Sequence, residues 1–288
     1  MTTEPASIPW ILKSTGEREP FSEEKLRRSL TRAGAQKETV EDIVAHIITE
    51  VRDGMDTRAI YRHAFSILKK RDRGAAATYS LRTAVTQLGP SGFPFEKFVA
   101  AVLTQHGYHT RTGVVVPGFC VQHEVDILAE KGNGHIFVEC KFHSEPTLKS
   151  DVKVALYVHA RFLDLQKAHE LSESKGPKIH QGWLVTNTKA THDAIRYGEC
   201  AGLRIIAWNY PHEGNLHDLI KESGVHPLTC LTTISVREKR ALLAGGTVAC
   251  SDLAKKPERL REVGVTSERI ARIEREITAL CHPAAQRP

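Results

Sequence analysis

The chain has 288 residues, 41% of them hydrophobic and 26% charged, which is the composition of an ordinary soluble globular protein with room for one large domain or two to three modest ones. Its net charge of +6 allows attraction to nucleic acid but does not demonstrate it. No stretch approaches the roughly 18 uninterrupted apolar residues of a membrane span, and the N-terminus lacks the pattern of a secretion signal, so we expect a cytoplasmic protein with no membrane partner.

A small helical domain is predicted over residues 8–88. Two short strand-like segments open it, joined by a turn that contains Gly16. Helices follow, because apolar residues recur at helical spacing after residues that favour helix starts. The predicted strands and helices are Trp10–Lys13, Glu19–Phe21, a helix beginning at Ser22, Glu38–Val51, a helix beginning at Thr57, and Ala75–Val85. The breaker-rich sequence Gly89–Pro94 then predicts a linker.

An α/β domain is predicted over residues 92–224, where the pattern changes. Strands alternate with helices, which favours a mixed sheet covered on both faces. The predicted elements are the helix Phe95–His106, the strands Glu124–Ala129 and His135–Phe142 with a hairpin turn at 131–134, the helix Asp151–Lys167, the strand Gly182–Thr186, the helix Lys189–Cys200, the strand Leu203–Trp208 and the helix Leu216–Glu222.

The last region, residues 225–282, is predicted to be a small all-helical domain. Four or five short helices broken by glycines account for its pattern, over the segments Val236–Leu243, Ser251–Ala254, Pro257–Val263 and Ser267–Leu280. The whole chain is therefore expected to be a multi-domain protein, with a helical N-terminal domain, a central α/β domain and a helical C-terminal domain.

Two carboxylates and a lysine are predicted to meet on the central strands. Alternate residues of a strand share a face, so Glu139 and Lys141 point one way and Cys140 the other. A hairpin with the preceding strand would bring Asp126 alongside Glu139. Converging carboxylates on apolar strands are unfavourable unless something compensates them. A divalent cation such as Mg²⁺, held by oxygen ligands, would do so, and with a lysine beside it would suit attack of water on a phosphate.

Asp126 followed by Glu139-Cys140-Lys141 resembles the D…(E/Q)xK core of Mrr-like restriction endonucleases and archaeal Holliday-junction resolvases, within the PD-(D/E)xK superfamily. The resemblance extends to an upstream helical motif and to a downstream strand, helix and strand. Those segments are Phe95–Phe98, Gly182–Asn187 and Ala201–Ile206. It implies a deoxyribonuclease of restriction-endonuclease-like type that depends on Mg²⁺ or Mn²⁺. The alternative is a structural ion pair in a decayed site.

The same resemblance implies a role for each matching residue. Asp126 and Glu139 would be metal ligands, with the Cys140 carbonyl as a third. Lys141 would be the catalytic lysine, and Glu96 would complete the site. The neighbours His123 and Glu124 are either further ligands or solvated residues.

The segment Trp10–Leu26 is similar to the opening of the ATP cone, the nucleotide-sensing module of ribonucleotide reductases and their repressor. The matching positions, which the resemblance assigns to ATP or dATP binding, are Lys13, Gly16, Glu19, Phe21 and Lys25, with Thr57 in the later part of the module. Lysines near a turn can meet phosphates as point charges. Ser14 replaces the usual arginine and so removes one phosphate contact. No P-loop sequence is present, so nucleotide would be sensed and not hydrolysed; the alternative is an inert scaffold.

The C-terminal helices resemble degenerate helix–hairpin–helix segments. In such segments, N–H groups at glycine turns grip a DNA phosphate without reading sequence. Basic side chains are frequent here, at Lys255, Lys256, Arg259, Arg261, Arg269 and Arg272. DNA binding and a dimerisation or packing role both remain open for this region.

These features together predict a DNA endonuclease regulated by ATP or dATP. Its substrate would be double-stranded or branched DNA. We expect a homodimer, since cutting two strands is simplest with two sites. The rival hypothesis is a nucleotide-responsive DNA-binding regulator with an inactive nuclease fold. A ribonucleotide-reductase repressor is disfavoured because the six cysteines stand singly and cannot form that family's zinc ribbon.

Overall fold

The computed structural model describes residues 8–13, 15–171 and 178–281, which form two compact units. The first ends at Leu81 and the second begins at Arg82. Within the described ranges, every helix is too short or too polar to cross a lipid bilayer. Two sequence-based expectations lie outside the described residues: the effect of Ser14 and the last position, 282, of the predicted C-terminal domain.

The first unit is a short antiparallel ribbon followed by helices. The ribbon consists of β1 (Trp10–Leu12) and β2 (Arg18–Pro20). The helices are α1 (Glu23–Arg32), α2 (Lys37–Glu50), α3 (Thr57–Arg71) and α4 (Arg73–Tyr79). Ser22 and Asp56 cap α1 and α3 by accepting a hydrogen bond from a main-chain N–H of the first turn. Leu30, Ile43 and Leu68 are fully buried where these helices meet.

The single helix predicted over Ala75–Val85 is interrupted at Ser80. The structure divides it into α4 and α5 (Leu81–Thr86). The Ser80 hydroxyl donates a hydrogen bond to the Ala77 carbonyl, 3.1 Å away. Serine side chains compete in this way with the main-chain hydrogen bonds of a helix, which gives a physical reason for the break.

The second unit contains a five-stranded mixed sheet in the order β3-β4-β5-β7-β9. Its strands are β3 (His109–Pro117), β4 (Gln122–Lys131), β5 (Gly134–Lys141), β7 (Ile179–Thr186) and β9 (Arg204–Ile206). The first three are antiparallel neighbours, whereas β5, β7 and β9 run parallel. A separate two-stranded pairing joins β6 (Lys149–Ser150) to β8 (Lys189–Ala190).

Helices pack against this sheet, as the alternating pattern predicted. They are α6 (Phe93–Gln105), α7 (Val152–Leu171), α8 (His192–Ala201) and α9 (Leu216–Ser223). α6 contacts the β3–β5 end of the sheet, and α7 contacts β7 and α8. Phe137 and Leu184 of the sheet are buried in one cluster with Val158 and Phe162 of α7.

Two predictions for this unit were incomplete. The edge strand β3 was not predicted, because exposed residues alternate with half-buried ones up to Val116, its one buried residue, and Gly113 interrupts it with a positive φ of 62°. The predicted linker Gly89–Pro94 is shortened, because α6 begins at Phe93. Pro94 lies in the first turn of α6, where its missing N–H has no helical partner to lose.

The C-terminal part of the chain is helical, as predicted. After a 3₁₀ turn at Leu228–Cys230, the helices are α10 (Val236–Ala244), α11 (Cys250–Lys255), α12 (Glu258–Glu262) and α13 (Ser267–Cys281). They belong to the same compact unit as the sheet. The predicted class, with a helical N-terminal region, a mixed α/β centre and a helical C-terminal region, is confirmed.

Candidate active site

The β4–β5 hairpin places Asp126 beside Glu139. The last registered pair of the hairpin is Ile127 with Val138, so Asp126 and Glu139 follow as the next opposed positions. The main-chain N–H of Cys140 donates a hydrogen bond to Asp126 Oδ2, 2.7 Å away. This bond ties the Asp126 carboxylate to β5 and fixes it next to Glu139.

Lys141 and Cys140 lie on opposite faces at the end of β5. Lys141 is exposed and pairs with Thr186 of the parallel strand β7. Cys140 is buried, and burial, followed by the nearby carboxylate of Asp126, holds the pKa of its thiol well above its usual value. Its side chain is therefore a neutral packing group, and only its main-chain carbonyl has the chemistry of a metal ligand.

A hydrogen-bonded pair of loops fixes the position of Lys141. Directly after it, the main-chain N–H of His143 donates to Asn187 Oδ1, and Asn187 Nδ2 donates to the His143 carbonyl, both at 2.8 Å. Asn187 is buried and follows the end of β7. The reciprocal bonds join the carboxyl ends of β5 and β7, so the main chain next to Lys141 is held in place.

Glu96 approaches this site from the first turn of α6. It is half-buried, and burial, followed by the negative charges of Asp126 and Glu124, raises its pKa to about 7. Burial, followed by the charge of Asp126, also raises the pKa of Glu139 to about 7. Burial raises the pKa of Asp126 as well. Burial is the largest cause at all three positions, and the charges of neighbouring carboxylates add to it, so each charged form is destabilised in a way that a nearby cation would offset.

Arg161, on α7, is a site residue that sequence reasoning missed. Its guanidinium contacts the Glu139 carboxylate and donates a hydrogen bond to the Glu124 carbonyl. It is only 9% exposed, and its guanidinium carbon lies 5.2 Å from the centre of the Phe137 ring. The available signal was an arginine in an apolar helical stripe, at the spacing of Val154, Val158, Arg161 and Leu165.

The donor set fits a hard divalent cation of the Mg²⁺ type. Such ions bind through one or two carboxylates and keep several waters, so three converging ligands are not required. Among the described residues, the oxygens of Glu96, Asp126 and Glu139 do not all lie within 4.8 Å of one another. Asp126 and Glu139, adjacent across the hairpin, supply two carboxylates of the kind that such an ion binds.

His123 and Glu124 precede Asp126 on β4, and His123 makes a structural contact. His123 Nε2 lies 2.8 Å from Asp164 Oδ2 of α7. Asp164 Oδ1 also accepts a hydrogen bond of 2.8 Å from the main-chain N–H of Cys120. These bonds tie the β3–β4 loop to α7. Glu124 is exposed. Burial is the largest cause of the raised pKa values of Glu96 and Asp126, and the negative charge of Glu124 raises them further.

Three of the residues predicted to bind nucleotide, Lys13, Glu19 and Lys25, form one group of ion pairs. Glu19 Oε2 is 3.3 Å from Lys13 Nζ and 2.9 Å from Lys25 Nζ, so it brings the two ammonium groups together. Thr57 Oγ1 donates to the Leu12 carbonyl at 2.9 Å, which holds the start of α3 against β1.

Gly16 and Phe21 complete the predicted set. Gly16 has a φ of 86°, a conformation that favours glycine in this turn. Phe21 is half-buried and packs partly against the apolar core of the unit, so only part of its ring remains available to a ligand.

Some of the C-terminal basic residues share a pocket. Lys255, Lys256 and Arg259 line it together with Gly246, Thr247 and Asp252. Arg269 is engaged elsewhere, because it forms hydrogen bonds of 2.6 and 2.9 Å with Glu238 and one of 3.0 Å with the Thr233 carbonyl. The pocket, rather than the basic residues as a whole, therefore offers positive charge beside a glycine turn.

Comparison with known families divides the chain into three successive matches. Residues 10–85 match the ATP cone domain, residues 89–212 the Mrr-type restriction endonuclease catalytic domain, and residues 226–281 the AF1548-like C-terminal domain. The predicted resemblances to an ATP cone and to Mrr-like nucleases are confirmed by these matches.

Individual proteins and solved structures also match this chain. An uncharacterized protein of Archaeoglobus fulgidus is 35% identical over 172 residues, which span 59% of this chain and 92% of that protein. The crystal structure of the protein of unknown function AF1548 is 32% identical with a TM-score of 0.54, and the match covers 66% of this chain and 98% of that one. MspJI restriction endonuclease, solved with a 27-mer oligonucleotide, is 16% identical with a TM-score of 0.33, over 69% of this chain and 39% of its own. The chain therefore belongs to the family of the Archaeoglobus protein, and it joins an ATP cone to a Mrr-type nuclease domain of the PD-(D/E)xK superfamily and an AF1548-like C-terminal region.

Proposed function

We propose that this protein is a metal-dependent endonuclease that hydrolyses phosphodiester bonds in DNA. The observation that carries the proposal is the placement of Asp126, Glu139 and Lys141 at one end of the β4–β5 hairpin, inside a region that matches a restriction endonuclease domain. Asp126, Glu139 and the Cys140 carbonyl would hold Mg²⁺ or Mn²⁺, and Glu96 would complete the site.

Each side chain then has a chemical task. When bound, the ion supplies Lewis-acid polarisation of the phosphate and acidifies a water. The Lys141 ammonium stabilises negative charge as it builds on the phosphate oxygens. Glu96, half-buried in the first turn of α6, would add a further carboxylate oxygen to the site. Arg161 positions Glu139 and neutralises its charge between turnovers.

DNA is the proposed polymer because the chain is basic and offers a positively charged pocket at its C-terminal helices. The net charge is +6, and Lys255, Lys256 and Arg259 gather beside the Gly246 turn. Such groups bind the phosphate backbone without reading sequence. We assign double-stranded or branched DNA as substrate and a homodimer as the active form, with domains over 8–88, 92–224 and 225–282 and a cytoplasmic location.

ATP or dATP is the proposed effector of the N-terminal domain. Lys13 and Lys25 both form ion pairs with Glu19, and a triphosphate, with its larger negative charge, would replace that carboxylate as the partner of the two ammonium groups. Binding without hydrolysis fits the missing P-loop. Because a ligand shifts an equilibrium only through its differential affinity for two states, nucleotide and DNA must affect each other's binding reciprocally.

One observation favours a second candidate function. The Glu139 carboxylate is engaged by Arg161, which would compete with a metal for the same oxygens. If this ion pair persists in the presence of Mg²⁺, the protein is a nucleotide-responsive DNA-binding regulator with an inactive nuclease fold.

The deciding experiment is cleavage of supercoiled plasmid and of branched DNA in Mg²⁺ or Mn²⁺, with and without ATP. We expect the wild-type chain to cut, and Asp126→Ala or Lys141→Ala to reduce cleavage by at least about 100-fold, the usual effect of removing a group that stabilises the transition state. The matched control is Glu130→Ala, which removes another carboxylate of β4 that pairs with Arg111 instead. A wild-type chain that binds DNA but cuts none of these substrates would establish the regulator.

A further inference from the structure

A second group of metal-binding side chains lies in the first compact unit, on α2 and α3. His46 and Glu50 are one turn apart on α2, and His63 belongs to α3. The two histidine Nε2 atoms are 3.1 Å apart. Glu50 Oε1 lies 3.3 Å from His46 Nε2, and Glu50 Oε2 lies 3.4 Å from His63 Nε2. Within residues 8–13, 15–171 and 178–281, this is the one group of three His, Cys, Asp or Glu side chains whose ligand atoms all fall within 4.8 Å.

The protons of these side chains cannot satisfy all three contacts at once. If both Nε2 atoms carry hydrogen, two N–H donors face each other across 3.1 Å. If only one does, the lone pair of the other points towards a negatively charged oxygen of Glu50. A cation at the centre removes the conflict, because each of the three groups then offers it a lone pair.

The spacing matches the geometry of a tetrahedral ion. Zinc–nitrogen and zinc–oxygen bonds of about 2.0–2.1 Å place neighbouring tetrahedral ligands roughly 3.3–3.4 Å apart, close to the separations of 3.1, 3.3 and 3.4 Å between these side chains. The side chains are 47%, 47% and 39% exposed, so a hydrated ion can reach them and water can take the fourth position.

We propose that His46, Glu50 and His63 form a Zn²⁺ site that is separate from the nuclease carboxylates. Two imidazoles with one carboxylate suit Zn²⁺, whereas Mg²⁺ prefers oxygen ligands alone. The bound ion ties α2 to α3. Since the ligands converge only in the folded unit, zinc stabilises that unit against unfolding.

Zinc binding is measured on the full chain, stripped of metal by a chelator and carrying Asp126→Ala to disable the other candidate metal site. Nucleotide is omitted because a triphosphate chelates zinc. Competition with a chromophoric chelator gives stoichiometry and affinity, and thermal melting gives the shift in Tm. We expect one Zn²⁺ per chain at this site and a higher Tm with zinc. Loss of an orienting neighbour weakens metal binding about 10–100-fold, so His46→Ala or His63→Ala should weaken it by at least about tenfold.

Matched variants separate this site from binding to other histidines. His192→Ala removes an exposed histidine beside Asp193 on α8, and its zinc affinity should equal that of the parent chain. Glu50→Gln keeps the shape of the third ligand but should lower the affinity and the Tm shift. Co²⁺ provides an independent readout, because a tetrahedral site with nitrogen ligands gives strong visible absorption that His63→Ala should abolish.

Two results would overturn the proposal. One is unchanged zinc affinity and stoichiometry in the His46→Ala, His63→Ala double variant. The other is the absence of any zinc-dependent Tm shift in the parent chain. Circular dichroism in metal-free buffer shows whether the variants fold, and if the double variant does not, Glu50→Gln decides the question by the same two measurements.

Discussion

Arg161 lies against two acidic positions of the nuclease site, with its guanidinium at the Glu139 carboxylate and the Glu124 carbonyl. Its side chain is 10% exposed and that of Glu139 is 18% exposed, so the two charges are largely removed from water. Such a pair contributes little compared with apolar residues, but removing one partner leaves a buried charge without compensation. We therefore expect Arg161 to affect the stability of the fold around Glu139 and, in the proposed metal site, the access of an ion to that carboxylate.

Replacing Arg161 should show both effects. We expect Arg161→Ala to lower the free energy of unfolding by about 3 kcal/mol in EDTA, because Glu139 becomes an unpaired buried carboxylate. Mg²⁺ should restore part of the loss. Urea unfolding with and without Mg²⁺ measures it. On a Glu139→Gln background the same replacement should be much less harmful; equal losses on both backgrounds would show that the ion pair is not the cause.

Glu96 contributes to the pH dependence of stability in EDTA. Burial, followed by the charges of Asp126 and Glu124, raises its pKa from 4.5 to about 7 in the folded protein. Between these values the unfolded chain has lost a proton that the folded chain keeps. Glu96 therefore stabilises the fold fully below about pH 4.5, and this contribution is lost as the pH rises to about 7.

Glu96→Gln should remove this contribution. Unfolding free energies of wild type and variant, measured in EDTA from pH 4 to 8, should differ by an amount that changes across the window from about 4.5 to 7 and stays constant above it. Two profiles that run parallel through the window would show that Glu96 titrates normally and is not held in an acidic, buried site.

Glu276 provides the main polar contact between α13 and the loop that precedes α10. It is 3% exposed, and its carboxylate accepts hydrogen bonds from the main-chain N–H groups of Thr232 and Thr233, at 2.7 and 3.0 Å, and from both threonine hydroxyls. Burial alone would raise its pKa, but these bonds outweigh burial and lower it. At the scale of elements, the C-terminal helices are thus joined by a specific buried contact as well as by apolar packing.

Removing this contact should destabilise the C-terminal helices. Glu276→Ala leaves buried N–H groups without an acceptor, and we expect a loss of about 2–3 kcal/mol in unfolding free energy. Glu274→Ala, at an exposed position of the same helix, is the control and should change it by less than about 0.5 kcal/mol. Similar losses in both variants would mean that helix propensity, not the buried contact, is responsible.

In the whole molecule, the proposed function joins a nucleotide-binding N-terminal domain to a nuclease domain. Lys13 and Lys25 are held together by Glu19, and a nucleotide triphosphate is the ligand whose charge would best replace it. Calorimetric titration should detect ATP or dATP binding without turnover. Lys13→Ala or Lys25→Ala should weaken it by about tenfold or more, the effect of losing a charge-assisted hydrogen bond. Lys70→Ala, an exposed position of α3, should not.

Calorimetric titration also tests whether nucleotide and DNA binding are coupled. If nucleotide and DNA are coupled, ATP must change the DNA affinity by the same factor by which DNA changes the ATP affinity. The two factors are measured in separate titrations. No heat and no thermal shift at millimolar ATP or dATP would reduce the N-terminal domain to a scaffold.

Local sequence contains enough information to predict those parts of this protein that depend on neighbours along the chain. The alternation of a strand puts Glu139 and Lys141 on one face, and a turn at 131–134 returns the chain so that Asp126 meets Glu139. The helices capped at Ser22 and Asp56 likewise begin where local hydrogen bonding favours them. These features extend over a hairpin or a helical turn, so periodicity and turn chemistry contain the information.

The distant side chains that complete each site are brought together only when the chain has folded. Arg161 reaches Glu139 across 22 positions, His63 reaches His46 across 17, and β3 becomes a strand because it pairs with β4. No local pattern contains such contacts, since they exist only once separate helices and strands have packed. Helices and strands pack so that their apolar faces are buried. This packing places a polar or charged side chain beside a residue far away in the sequence, and the residues next to it in the chain give no sign of that contact.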